Sequence, residues 1–239
     1  MPTTLSNLRP HERLVIPLDL PDADEAVALA ERLAPHIGAV KVGLELFNAQ
    51  GPDILQRLID RGLRVFYDAK LHDIPNTVAG AVRAATRRRL WMLNVHTTGG
   101  SDMMRAAAAA AREAEQPPLL IGVTVLTSIG AAMLREELGV GREPLEHVVA
   151  LARLAQASGL DGVVCSPLEA AAVRQACGPQ FVIVTPGVRP PASSVDDQKR
   201  VAAPADAVRD GSDYLVIGRP ITAVADPVAA AQQIAESLR

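Results

Sequence analysis

Short apolar runs alternate along the chain with longer, alanine-rich segments that have helical spacing. The apolar runs predict eight strands, at residues 13–19, 39–43, 63–70, 91–96, 119–125, 162–165, 181–186 and 214–218. The other segments predict helices at residues 22–34, 50–61, 76–88, 101–114, 144–158, 167–176, 204–210 and 226–238, with a short extra helix at 129–137. Eight strands, each followed by a helix, are typical of an α/β fold that closes into a (β/α)8 TIM barrel. We therefore predict one such barrel, as a single domain over residues 1–239.

An open, doubly wound sheet is the structural alternative for the same alternation. Its dinucleotide-binding form carries a GxGxxG motif after the first strand, and no such motif follows residues 13–19. The strands are almost continuously apolar, which fits the burial of both faces in a closed barrel.

Composition excludes several classes of partner. Hydrophobic residues make up 49% of the chain and charged residues 21%, with a net charge of −3, so no basic field predicts nucleic acid or an anionic membrane as a partner. The apolar runs are too short to cross a bilayer, and the N-terminus lacks the apolar segment of a signal peptide. The only two cysteines, Cys165 and Cys177, are predicted to be buried thiols, which favours the reducing cytoplasm.

Polar residues stand at the carboxyl ends of seven of the eight predicted strands. In chain order they are Asp19, Lys41, Asp68, Lys70, Asn94, His96, Thr124, Thr127, Ser128, Arg189 and Arg219, the last directly after Gly218. In a (β/α)8 barrel these ends open on one face, the face that carries the chemistry. The pattern therefore predicts a site there.

The segment FYDAKLHDIPNT concentrates charge directly after an apolar run. Asp68 and Lys70 are two residues apart on a strand, so their side chains are expected on the same side, with Asp73 just beyond. Neighbouring carboxylates favour the charged ammonium of Lys70, which suits a proton donor better than a Schiff-base nucleophile. The alternatives are a structural Asp68–Lys70 ion pair and an Asp73 that only caps the next helix.

Two features predict an anionic ligand. Gly218 and Arg219 follow the last strand, where this fold commonly binds phosphate. The long connection at 187–204 has few apolar anchors and is typical of a lid or binding loop, which would bring Arg189, Gln198, Lys199 and Arg200 to the ligand. A solvated loop without a ligand is the alternative. The five histidines are scattered, so no metal site is predicted.

The segment DAKLHDIPNT, residues 68–77, resembles the D-x-K-x-x-D-I-P-N-T signature of the orotidine 5′-phosphate decarboxylase family. The resemblance continues through VIPLD, VKVGLELF, WMLNVHTTGG, VTVLTS, DGVVCSP, VTPGVRP, DDQKR and YLVIGRPIT. It implies a homodimeric (β/α)8 enzyme without a cofactor, which converts orotidine 5′-monophosphate to UMP and CO2 in the last step of de novo pyrimidine synthesis.

The resemblance also implies residue roles. Lys70 would protonate C6 of the pyrimidine as CO2 leaves, with Lys41, Asp68 and Asp73 completing a charged array. Asp73, together with Ile74 and Thr77, would reach the site of the partner subunit. The other implied contacts are Asp19 and Lys41 to the ribose, Thr127 and Ser128 to the base, and Arg189, Gln198, Gly218 and Arg219 to the phosphate.

Three rivals remain open. Magnesium-dependent sugar-phosphate decarboxylases and aldolases share the D-x-K-x-x-D barrel, but they carry an acidic metal ligand near the end of the second strand, where this chain has Lys41. The others are a phosphate-binding barrel without catalysis and a Schiff-base aldolase. The chain departs from the family pattern at Arg87–Arg89 and at Thr97–Thr98.

Overall fold

Eight parallel strands close into a barrel in chain order in the computed structural model, which confirms the predicted (β/α)8 fold. The structure describes residues 8–189 and 202–239. The strands are β1 (Leu14–Pro17), β2 (Ala39–Val42), β3 (Val65–Leu71), β4 (Met92–His96), β5 (Leu119–Val123), β6 (Gly162–Val164), β7 (Val182–Pro186) and β8 (Tyr214–Val216). Pairing of β8 with β1 closes the ring.

Helices follow the strands around the outside of the barrel. They are α1 (Ala23–Leu33), α2 (Leu44–Gln50), α3 (Asp53–Ile59), α4 (Pro75–Thr86), α5 (Gly100–Arg112), α6 (Ala131–Glu136), α7 (Pro144–Ala157), α8 (Ala170–Cys177), α9 (Pro204–Arg209), α10 (Arg219–Thr222) and α11 (Pro227–Glu236). Short 3-10 helices cover Pro10–Arg13, Ala34–His36, Thr97–Gly99 and Pro167–Glu169.

The prediction of one helix at residues 50–61 was wrong in its boundaries. The structure has two helices there, and the first begins at Leu44, directly after β2. Gly51 ends α2 with a φ of 70°, a left-handed conformation that glycine adopts readily, and Pro52 follows it. The short helix α10 was not predicted either, because four residues are too few to show a period.

The interior of the barrel has an apolar floor. The floor is formed by Val15, Ala39, Phe66, Met92, Ile121, Val182, Val184 and Tyr214, which form one buried cluster with Leu8. Side chains two residues apart on a strand share a face. Two residues beyond the floor on β2, β3 and β4 the same register therefore holds Lys41, Asp68 and Asn94. Strand alternation thus places a polar layer on an apolar one.

The main core lies between the barrel and its helices. The helix α1 illustrates the packing, because its buried residues follow the i, i+3, i+4, i+7 spacing of one helix face: Ala23, Ala26, Val27, Ala30 and Leu33. The carboxylate of Asp22 caps this helix by accepting from the N–H groups of Asp24 and Glu25. Within residues 8–189 and 202–239, no helix has the length and apolar character needed to cross a membrane. Cys165 and Cys177 are both buried thiols, as predicted.

Candidate active site

A cavity of about 670 Å³ opens at the carboxyl ends of the strands. Nine of the residues that were given a role in the site line it: Asp19, Lys41, Asp68, Lys70, Thr127, Ser128, Arg189, Gly218 and Arg219. Gln198, predicted for the same site, lies outside the described residues. The volume of the cavity falls within the range of small-molecule sites, about 300–1,000 Å³.

Asp68 is the centre of the polar layer. Its Oδ1 accepts from Lys70 Nζ at 2.7 Å, and its Oδ2 lies 3.2 Å from Lys41 Nζ. Lys41 Nζ is also 3.7 Å from a carboxylate oxygen of Asp19 at the exposed rim. The chain has only three lysines, and two of them contact this one buried carboxylate.

The two lysines determine the charge of Asp68. Burial by itself raises the pKa of this carboxyl, but the nearby ammonium groups of Lys41 and Lys70 and two hydrogen bonds outweigh burial, so the pKa is lowered. The carboxylate is therefore ionised at neutral pH. It holds Lys41 and Lys70 on its two different oxygens, with the Lys70 ammonium partly exposed to the cavity.

Sequence reasoning gave no role to Asn94, although it counted this residue among the polar strand ends. Asn94 is fully buried, and its side chain hydrogen-bonds both Asp68 and the main chain of Lys70. The sequence feature that could have indicated a role is an amide at an interior-facing position of an otherwise apolar strand.

Asp73, Ile74 and Thr77 lie outside the cavity lining. All three are exposed, and 67% of Ile74 is accessible to solvent. Asp73 is not the cap of α4. The N-cap is Ile74, which has no side-chain cap hydrogen bond, and Asp73 Oδ1 accepts from the adjacent Ile74 N–H at 2.6 Å. The capping alternative is therefore wrong.

The rim opposite Lys70 carries two arginines. Arg219 is the first residue of α10, after Gly218, and Arg189 follows β7 with its main-chain N–H bound to Ala202 O at 3.0 Å. A Cβ added at Gly218 would lie 3.0 Å from Pro17 Cγ, so the close approach of β8 to β1 favours glycine there. Two guanidinium groups at one rim can bind a phosphate.

His96 ends β4 beside the polar layer. Its ring centroid is 5.5 Å from that of His72. Burial, followed by the charges of His72 and Lys70, lowers the pKa of His96. The part of the chain that the structure describes contains no group of three or more His, Cys, Asp or Glu side chains able to hold a metal ion.

The family model described as "Orotidine 5'-phosphate decarboxylase / HUMPS family" matches residues 12–234, which span all eight strands. The chain belongs to this family. The resemblance read from the strand-end motifs is therefore confirmed over nearly the whole barrel.

Relatives in this family are similar over nearly their full lengths. The orotidine 5′-phosphate decarboxylase of Halorhodospira halophila is 55% identical over 226 residues, which cover 95% of each chain. That of Moorella thermoacetica is 52% identical over 232 residues, covering 95% of this chain and 92% of the relative. The crystal structure of the Lactobacillus acidophilus enzyme aligns with a TM-score of 0.83 at 37% identity, over 95% of this chain and 98% of that one.

The departures from the family pattern lie away from the cavity lining. Arg87–Arg89 connects α4 to β4 at the amino-terminal end of the barrel. Thr97 is buried, and its hydroxyl donates to Val123 O at 2.9 Å. Neither contributes to the polar layer around Asp68.

Proposed function

We propose that this chain decarboxylates orotidine 5′-monophosphate to UMP and CO2, the last step of de novo pyrimidine synthesis, without a cofactor. Family membership and the close similarity to orotidine 5′-phosphate decarboxylases of other bacteria support the proposal. The observation that carries it is the pair of lysines on one buried carboxylate at the base of the cavity.

The reaction breaks the bond between C6 of the pyrimidine and its carboxylate carbon. The electron pair stays at C6, CO2 leaves, and the Lys70 ammonium gives its proton to C6; solvent then reprotonates the amine. A cation fixed beside a carbon that becomes negative stabilises the transition state more than the ground state, which raises turnover. The 2.7 Å contact with Asp68 limits the movement of Lys70 Nζ, so the ammonium is already oriented before the substrate reacts.

The rest of the cavity would bind the parts of the substrate that do not react. Asp19 and Lys41 would contact the ribose, and Thr127 and Ser128 the base. The phosphate would lie against the opposite rim, with Arg189, Gln198, Gly218 and Arg219. This division leaves Lys70 and Asp68 for the chemistry, and it allows phosphate binding energy to orient the base.

The proposal includes a homodimer in which Asp73, Ile74 and Thr77 complete the partner's site. The support is local: these residues are exposed beside the cavity rather than in it, and Ile74 presents an apolar side chain to solvent. A partner over this loop would bury Ile74 and bring a second carboxylate toward the lysine pair. A single catalytic domain over residues 1–239 and a cytoplasmic location belong to the same proposal.

The magnesium-dependent rivals conflict with the charge at the end of β2. Lys41 occupies that position, and its ammonium lies 3.2 Å from Asp68 Oδ2. A cation there repels a divalent metal from the carboxylate that would bind it.

The test is the loss of orotidine 5′-monophosphate absorbance with purified protein, with and without EDTA, beside Lys70→Ala. We expect conversion to UMP that EDTA does not inhibit, with kcat lower by about 10²–10⁴-fold in K70A, the usual range for loss of a general acid. UMP binding measured by calorimetry should persist in K70A, because its phosphate contacts are intact. Absence of conversion by folded parent protein would refute the proposal, and inhibition by EDTA would favour the metal-dependent relatives.

A further inference from the structure

Asn94 is a buried amide inside the barrel, above the apolar floor. It is fully inaccessible to solvent, and it lies between Leu93 and Val95, which face the outer core. Burying an amide is costly unless its donor and its acceptor are both satisfied. The partners of this side chain therefore indicate why an amide is present.

The ladder between β3 and β4 is irregular beside Asn94. Between paired positions, β3 advances four residues, from Tyr67 to Leu71, while β4 advances two, from Leu93 to Val95. Lys70 lies in this bulge with a φ of 50°, a left-handed conformation that is uncommon for residues with a Cβ. The bulge takes the Lys70 N–H out of the regular ladder, so it needs another acceptor.

The side chain of Asn94 replaces the missing ladder partner. Asn94 Oδ1 accepts from Lys70 N at 2.7 Å, and Asn94 Nδ2 donates to Asp68 Oδ1 at 2.6 Å. The orientation of the amide follows from its partners, because a main-chain N–H can only donate and an ionised carboxylate can only accept.

These contacts form a closed ring. Asp68 Oδ1 also accepts from Lys70 Nζ at 2.7 Å, so the carboxylate, the Asn94 amide, the Lys70 main chain and the Lys70 side chain are joined in sequence. The Asn94 amide thereby holds the main chain of Lys70 directly and its ammonium through Asp68. An aspartate, a leucine or an alanine at position 94 cannot supply both a donor and an acceptor at neutral pH.

We propose that Asn94 is a positioning residue, which holds the left-handed main chain of Lys70 and the carboxylate of Asp68 so that the Lys70 ammonium is aimed into the cavity. The consequence for turnover rests on the proposed function; the clamp on the Lys70 main chain does not. Asn94 acts through Lys70 and Asp68, whereas the arginines proposed to bind the phosphate lie on the rim opposite Lys70. Its loss should therefore lower kcat and leave the KM for orotidine 5′-monophosphate within about twofold, since uniform binding is preserved.

The first test compares Asn94→Leu with Asn94→Asp, and Thr185→Val is the matched control. Thr185 is a buried polar residue of β7 whose hydroxyl bonds Ser212 Oγ, and it does not line the cavity. We expect kcat to fall by about 10²-fold in N94L, the effect of a displacement of roughly 1 Å, and to stay near the parent value in T185V.

N94D adds a readout that a purely structural role would not move. At neutral pH the new carboxylate faces Asp68, with Lys70 and Lys41 as the nearby cations, and cannot donate. Once protonated, it can donate to Asp68 and accept from the Lys70 N–H, as the amide does. The ratio of kcat in N94D to kcat in the parent should therefore rise as the pH falls. A ratio independent of pH, or an N94L variant with parental kcat, would overturn the proposal.

Hydrogen exchange at the Lys70 amide separates this inference from the proposed function. We expect slow exchange in the parent and in T185V, and at least tenfold faster exchange at neutral pH in N94L, which lacks the acceptor for the Lys70 N–H, whether or not the protein decarboxylates orotidine 5′-monophosphate. Unchanged exchange in N94L would refute the clamp even if the enzyme is active. An inactive parent with the expected exchange pattern would refute the function and keep the clamp.

Discussion

Lys41 Nζ lies 3.2 Å from Asp68 Oδ2, whereas Lys70 Nζ contacts the other carboxylate oxygen, Oδ1. Both Lys41 and Asp68 are buried, so each charge requires opposite charges close to it. The lowered pKa of Asp68 means that the stability it contributes is fully present above the ordinary carboxyl pKa. That contribution is lost as the pH falls through the lower, folded-state pKa.

Asp68→Asn should therefore impair both turnover and folding. The amide keeps the shape but leaves two ammonium groups without their carboxylate, so we expect kcat to fall by about 10²–10³-fold, as for loss of one preorganised electrostatic group. The free energy of unfolding should fall by about 3 kcal/mol, the cost of breaking a buried ion pair. Steady-state kinetics and urea unfolding measure the two effects. Asp102→Asn, at an exposed ion pair with Arg105, is the control and should change neither; parental kcat in D68N would contradict the prediction.

Ile74→Asp should convert the proposed dimer to monomers. Ile74 is 67% exposed in the single chain, and a charge introduced at a buried interface position is strongly unfavourable. Sedimentation velocity should show a smaller species whose activity is reduced, because Asp73 would no longer reach the partner's site. Leu168→Asp is the control, since Leu168 is 62% exposed in the 3-10 helix after β6. A parent protein that sediments as a monomer with full activity would refute the shared site.

Arg219→Ala should weaken recognition of phosphate specifically. Loss of a charge-assisted hydrogen bond costs about 1.5–3 kcal/mol, so kcat/KM for orotidine 5′-monophosphate should fall by about 10–150-fold. The nucleoside orotidine, which lacks the phosphate, should show almost no difference between R219A and the parent. Equal losses for both compounds would mean that Arg219 does not contact the phosphate.

The sequence predicted the barrel because strand and helix periods are local properties, and strand-end polarity then located the cavity. It could not predict the bulge in β3, where Lys70 adopts a positive φ, because that irregularity comes from the pairing of two strands. The role of Asn94 depends on the same pairing. Alternation alone predicted Asp68 and Lys70 on the same side, and both do line the cavity, but through this bulge rather than a regular strand.

Gly162→Ala should destabilise the barrel between β6 and β7. A Cβ added at Gly162 would overlap the main-chain carbonyl oxygen of Val182, its paired residue, so the two strands would have to separate. Overpacking of this kind costs about 1–3 kcal/mol, and thermal unfolding should occur several degrees lower. Gly141→Ala is the control, because no atom lies within 4 Å of its added Cβ. An unchanged unfolding temperature in G162A would show that the strands adjust without cost.

His96→Gln should reduce the loss of stability on acidification. Burial, His72 and Lys70 lower the pKa of His96 in the folded protein, whereas the unfolded chain has the ordinary value of about 6.5. The unfolded state therefore takes up the proton first as the pH falls, so stability that is present above about pH 6.5 is lost as the pH approaches the folded-state pKa. Urea unfolding at about pH 7 and about pH 5 should show a smaller difference in H96Q than in the parent. His36→Gln, in the 3-10 turn at the opposite end of the barrel, should not reproduce this change. If H96Q loses as much stability as the parent over this interval, another group is responsible for the acid sensitivity.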